Sequence, residues 1–199
     1  SKEGQILRNI VLYGKIQENF REVNRMANWK SYTIKNIITM IRNREAVLPV
    51  IQRRLEWNEH KMELLFDSLF KKNSFGAIIC IQEEEGQPSL FAYREFTRDG
   101  SEISSKEEKL LSKNLLLIID GQQRLQSFYI GLDGSYDGKV LYYDLLSDYK
   151  TSEYNFKFSA EVSTLPSENG ERLGVLNKCV WYPSARLFAK LEAANDSDQ

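Results

Sequence analysis

Residues 115–128 read LLLIIDGQQRLQSF. Leu115–Ile119 is an unbroken apolar run, the composition of a strand covered on both faces. Asp120-Gly121 then marks a sharp turn, and a helix is expected from Gln122 to Leu132. Gly121 permits the turn and lets backbone approach a ligand closely. The N–H groups of Gln122, Gln123 and Arg124 would sit in the first helical turn, where the dipole favours an anion. Arg124 adds a two-pronged phosphate donor, and the two glutamines add orientable donors and acceptors. Asp120 beside such a site makes sense as a metal ligand, a water-positioning group or the partner of an arginine. The plainer reading makes Asp120 an N-cap and Arg124 a solvated helical charge.

Working outward, LPVIQRRLEW at 48–57 is the second informative stretch. Pro49 biases Leu48 toward extended backbone, and Ala46–Ile51 reads as a short strand. Gln52 and Arg53 set an amide beside a guanidinium; on a strand they would face opposite ways, so they share a ligand only if the chain turns. Trp57 reads as a core anchor rather than a stacking platform, because Asn58 caps an amphipathic helix that carries Met62, Leu65, Phe66, Leu69 and Phe70 on one side. Further strands are expected at Ala77–Gln82, Phe91–Phe96, Lys139–Leu145, Tyr154–Ser159 and Val175–Trp181. Helices are expected at Thr33–Ile41 with Ser31 as cap, at Ser104–Ser112 with Glu107 completing a capping box, and at Ser184–Ala193. Ile6, Ile10, Tyr13, Phe20, Val23 and Met26 recur at helical spacing, so residues 1–30 read as an N-terminal helical extension. The fold class is α+β, a small mixed sheet with flanking helices.

Composition narrows the function. The 199 residues are 42% hydrophobic and 28% charged, enough for one domain with a full core. Net charge is −1, so no global basic field exists to hold nucleic acid. Charge is nonetheless uneven: residues 1–54 carry 11 Lys and Arg against 4 Glu, leaving 16 basic and 24 acidic residues in the remainder. That excess marks residues 1–54 as the part that would face DNA, although a solvated helix face explains it equally well. His60 is the only histidine. Two-histidine zinc sites, His-Asn-His nucleases and two-histidine phosphodiesterases therefore cannot be built from these residues, and Glu59-His60-Lys61 reads as a helix surface. Cys80 and Cys179 form no metal-ligand spacing and suit a cytoplasmic location. No apolar run approaches membrane-spanning length. Asp133 to Asp144 matches much of a calcium-loop template, but Asp144 stands where a bidentate Glu is usual and the neighbouring residues read as strand, so a helix-to-strand loop is expected.

Three pieces in this order, PVIQRRLEW (49–57), LLFDSLF (64–70) and IDGQQRL (119–125), resemble the N-terminal domain family of GmrSD-type modification-dependent restriction endonucleases. WYP (181–183) before a helix also resembles the end of that domain. The resemblance implies a ParB/sulfiredoxin-like domain over 31–195 that binds a nucleotide, an NTP with Mg2+, and hydrolyses it to drive attack on modified or foreign DNA. It implies Asp120, Gln122, Gln123 and Arg124 as catalytic residues, with Asp120 also the metal ligand. Gln52, Arg53, Gly121 and Arg124 would hold the nucleotide. The chain departs from the family at Ile51 and Leu55, where an aromatic residue is usual, and at Gln126, where threonine is usual. The family's nuclease is expected outside this chain, in another domain or subunit. Two rivals stand beside this reading: a non-catalytic module whose arginines contact DNA phosphates, and a metal-dependent nuclease acting directly.

Overall fold

Burial on both faces of one strand organises the molecule. A computed structural model describes residues 14–19, 28–51, 55–74, 76–147, 156–172 and 175–196. Among them, 115–120 form the inner strand β6 (Leu115–Asp120) of a six-stranded mixed sheet. Its neighbours are β4 (Ile78–Glu83), antiparallel, and β3 (Ala46–Pro49), parallel. The full order is β2 (Asn28–Tyr32), β1 (Gly14–Asn19), β4, β6, β3 and β5 (Tyr93–Arg94). Leu116 and Ile118 enter the larger hydrophobic cluster, whereas Leu115, Leu117 and Ile119 face the smaller one. The continuous apolar run is thus a strand with two covers.

Three helices supply much of the larger cluster. α1 (Ile34–Arg42) buries Ile34, Ile37, Ile38 and Ile41; α2 (Glu59–Phe70) buries Met62, Leu65, Phe66, Leu69 and Phe70; α3 (Gln122–Asp133) buries Leu125, Phe128, Ile130 and Leu132 among others. Asn58 caps α2 as expected, its side chain accepting from the Lys61 N–H at 3.1 Å. The cap of α1 is Thr33, whose hydroxyl accepts from the Asn36 N–H; Ser31 belongs to β2 instead. A second sheet, ordered β11 (Trp181–Pro183), β7 (Val140–Asp144) and β8 (Phe156–Ser159), sends Tyr143, Phe156 and Phe158 into the same cluster. Phe156 lies 4.9 Å from the Phe70 ring, edge to face. β9 (Glu168–Arg172) and β10 (Val175–Lys178) pair as a separate ribbon, and α4 (Ser184–Asp196) comes after β11. The class is α+β.

Three expectations need correction. Gly14–Asn19 is a strand, paired with β2 and β4, not the middle of a helix. Ladder pairing overrode the helical spacing there; the remainder of that expected helix, except β2, lies outside the described residues. Ser104–Ser112 contains no helix. Lys106 instead exchanges two backbone hydrogen bonds with Tyr93, and Glu108 accepts from the Tyr93 hydroxyl and the Ser112 N–H. The expected strand over Val175–Trp181 breaks at Cys179 and Val180, whose N–H groups go to the Ser167 carbonyl and the Asp144 carboxylate.

The stretch with calcium-loop spacing is a helix-to-strand connection. Arg42 and Arg98 engage the Asp133 carboxylate at 3.0 and 3.2 Å, while Asp144 Oδ1 accepts from the N–H groups of Leu146 and Val180. Its two end carboxylates are therefore committed to different neighbours. His60 is an exposed residue of α2, its Nδ1 4.0 Å from Glu63.

Candidate nucleotide site at the start of helix α3

The site begins with a register shift. Ile79 pairs with Asp120 but Cys80 with Ile118, so β6 carries one extra residue at Ile119. A bulge of this kind bends a strand end and re-aims the residues beyond it. Asp120 emerges exposed, and Gly121 turns the chain with φ +86° to become the N-cap of α3. No larger residue fits comfortably: a Cβ on Gly121 would lie 2.2 Å from Ile78 Cδ1 and 3.1 Å from Arg124 Nη2. Having no side chain, Gly121 leaves the helix start uncapped by any side-chain oxygen.

Arg124 is drawn inward. Its side chain is only 17% exposed, and Nη2 donates to the Ala77 carbonyl at 2.9 Å and to Asp120 Oδ2 at 3.2 Å. The guanidinium nests over Gly76, where an added Cβ would come within 2.5 Å of Nη1. The Asp120 carboxylate remains 64% exposed despite this pairing. The simple picture of Arg124 as a solvated helical charge is therefore replaced by an arginine fixed at the mouth of α3.

The glutamines act as braces. Gln122 is buried, and its Nε2 donates to the Ile118 carbonyl at 2.8 Å, holding the turn against the strand. Gln123 Oε1 accepts from the N–H groups of Glu56 at 2.9 Å and Trp57 at 3.3 Å. This ties the segment entering α2 to the first turn of α3. Gln126, the departure from the family pattern, is buried and donates to the Thr97 carbonyl at 2.6 Å. Leu55 fills the space over Gly100, where a Cβ would lie 2.6 Å from Leu55 Cδ2.

A cleft of about 390 Å³ results, lined by Glu56, Trp57, Ile119 and the whole Asp120–Arg124 pentapeptide. Its size falls within the range of small-molecule sites. Gln52 and Arg53 lie outside the described residues. Sequence reasoning missed Glu56, Gly76 and Ala77, and preferred Trp57 as a core anchor over a stacking platform; Trp57 both packs on the larger cluster and lines the cleft. Glu56 and Trp57 stand at the end of the second motif (48–57), whereas no sequence signal pointed to Gly76 or Ala77. Among the described residues, no group of three or more His, Cys, Asp or Glu is placed to hold a metal ion.

The model of the GmrSD restriction endonuclease N-terminal domain matches residues 34–190. The chain belongs to that family. Membership places this GmrSD N-terminal domain in restriction-type DNA defence, alongside a nuclease function carried by a separate domain. No curated protein matches the chain. The matched span of the GmrSD domain includes the cleft, both motifs around it and most of α4. No helix among the described residues is long and apolar enough to cross a membrane.

Proposed function

We propose that this domain binds a nucleoside triphosphate with Mg2+ in the β6–α3 cleft and hydrolyses it, in a protein directed against modified or foreign DNA. The observation that carries the reading is Arg124, held by Ala77 and Asp120 beside a glycine-capped helix start. Phosphates gain there from the helix N-terminus and from a guanidinium whose reach is already set. In the reaction, a water oxygen attacks the terminal phosphorus, the bond to the bridging oxygen breaks, and inorganic phosphate separates from the diphosphate. Arg124 neutralises charge on the phosphoryl oxygens as that exchange proceeds.

The donor set fits magnesium arriving with its nucleotide: Asp120 offers one exposed carboxylate, and phosphates and water complete such a shell. Asp120 would hold the ion, which supplies further charge neutralisation. Gln122 and Gln123 keep the walls in place through their bonds to Ile118, Glu56 and Trp57, and the resemblance adds Gln52 and Arg53 as further nucleotide contacts. We assign DNA contact to the basic residues within 1–54 and strand cleavage to a separate domain or subunit.

A thermal-shift series with four nucleoside triphosphates and magnesium tests this, paired with a phosphate-release assay. Ligand at a hundredfold excess over Kd stabilises by about 2.7 kcal/mol. For a domain of this size that is about 5–10 °C. Arg124→Ala should abolish the ligand-induced increment, measured against its own unliganded melting point. No shift and no phosphate release from the wild type refutes the proposal. DNA binding that falls steeply with salt, without phosphate release, would favour the recognition-module reading.

A further inference from the structure

We infer that Trp57 is the platform on which the base of the nucleotide stacks, a role that rests on the nucleotide reading above and adds what separates a nucleoside triphosphate from a bare polyphosphate. The cleft is chemically two-ended. Its α3 end offers Arg124 and the glycine-capped helix start, suited to phosphate; Trp57 is the aromatic residue in its lining. Every nucleobase has a π-face that an indole can cover.

Position supports this role as much as residue type. Trp57 is half-buried and packs against the larger cluster, so the core backs it rather than leaving it to swing. Its backbone N–H is bound by Gln123 Oε1, while Gln123 itself stands in the first turn of α3. One glutamine side chain therefore ties the Trp57 backbone to the phosphate end of the cleft. Asn58 immediately afterwards begins α2, which anchors the segment from its other side.

The test uses calorimetric titration of the full chain with magnesium nucleoside triphosphates and, separately, with magnesium tripolyphosphate. Wild type should bind a nucleoside triphosphate at least tenfold tighter than tripolyphosphate. Trp57→Ala should weaken nucleotide binding by about 5- to 150-fold, the usual effect of removing one stacked aromatic. It should leave tripolyphosphate within twofold, and Trp57→Phe should retain most nucleotide affinity. Equal weakening of both ligands by Trp57→Ala makes the residue a structural wall and overturns the inference. Equal wild-type affinity for both ligands overturns it too, while leaving the phosphate site standing. Binding of neither ligand by wild type removes the nucleotide reading itself. Should Trp57→Ala not fold, fluorescence of a Trp29→Phe, Trp181→Phe protein decides. Saturating nucleotide should quench Trp57 emission where tripolyphosphate does not, and unchanged emission overturns the inference.

Discussion

Substituting Gly121 by alanine tests the construction of the turn directly. At φ +86° an L-residue incurs about 1–2 kcal/mol of backbone strain. The new methyl carbon would also sit 2.2 Å from Ile78 Cδ1, far inside contact distance. Ile78 is 2% exposed, so its side chain has little room to retreat, and overpacking of this kind costs about 1–3 kcal/mol. Together Gly121→Ala should cost about 2–5 kcal/mol, lowering the melting temperature by about 5–15 °C in calorimetry. The steric share can be isolated. Ile78→Val removes Cδ1 and alone costs about 1 kcal/mol. In the double variant the overlap disappears, so the combined loss should fall short of the sum by about 1–2 kcal/mol. A Gly121→Ala protein within 0.5 kcal/mol of wild type (about the scatter of neutral surface changes), or strictly additive losses in the cycle, would refute the reasoning.

Gln123→Ala should cost about 0.5–1.5 kcal/mol by removing the acceptor shared by two N–H groups at the edge of the cleft. Hydrogen exchange should locate the loss at the Glu56 and Trp57 amides. Arg42→Ala should destabilise by about 1–3 kcal/mol in chemical denaturation, since it strips bonds from both Asp133 and Glu192. The Tyr93 hydroxyl donates to Glu108, first among the causes that lower the Glu108 pKa, so this bond stabilises above the unfolded carboxylate range, about 4.3, and is lost as pH falls through the lower folded value. Tyr93→Phe should accordingly flatten the acid limb of stability against pH; an unchanged limb contradicts the linkage. Burial and then the Asp144 charge push the Cys179 thiol up to about 11, so its alkylation at pH 8 should run well below that of a free cysteine.

How much of the chain was readable depended on how local each determinant was. Asn58 and the apolar face of α2 are neighbours in sequence, and their cap and burial needed nothing from elsewhere. Leu115–Asp120 reads as strand because five consecutive apolar residues need cover on both faces. Ser104–Ser112 carries a capping box, yet Tyr93 takes Lys106 through its backbone and Glu108 through its hydroxyl, so long-range partners override the local ones. Phe91–Phe96 shrinks to Tyr93–Arg94, which pair with Pro49 and Leu48 at the end of β3. The cleft divides the same way. Asp120–Arg124 stands out as a contiguous pentapeptide, whereas Glu56, Trp57, Gly76 and Ala77 reach it through the Gln123 and Arg124 side chains, bonds that cross 47 or more positions.

Arg124 also bears on the thermodynamics of capture. A free arginine gives up about 2 kcal/mol of rotamer entropy when a ligand pins it. Here the Ala77 carbonyl, Asp120 and the bare backbone of Gly76 have already confined the chain of methylenes. That immobilisation is settled when the polypeptide folds, so an arriving anion meets a preset charge and keeps more of its interaction energy as affinity.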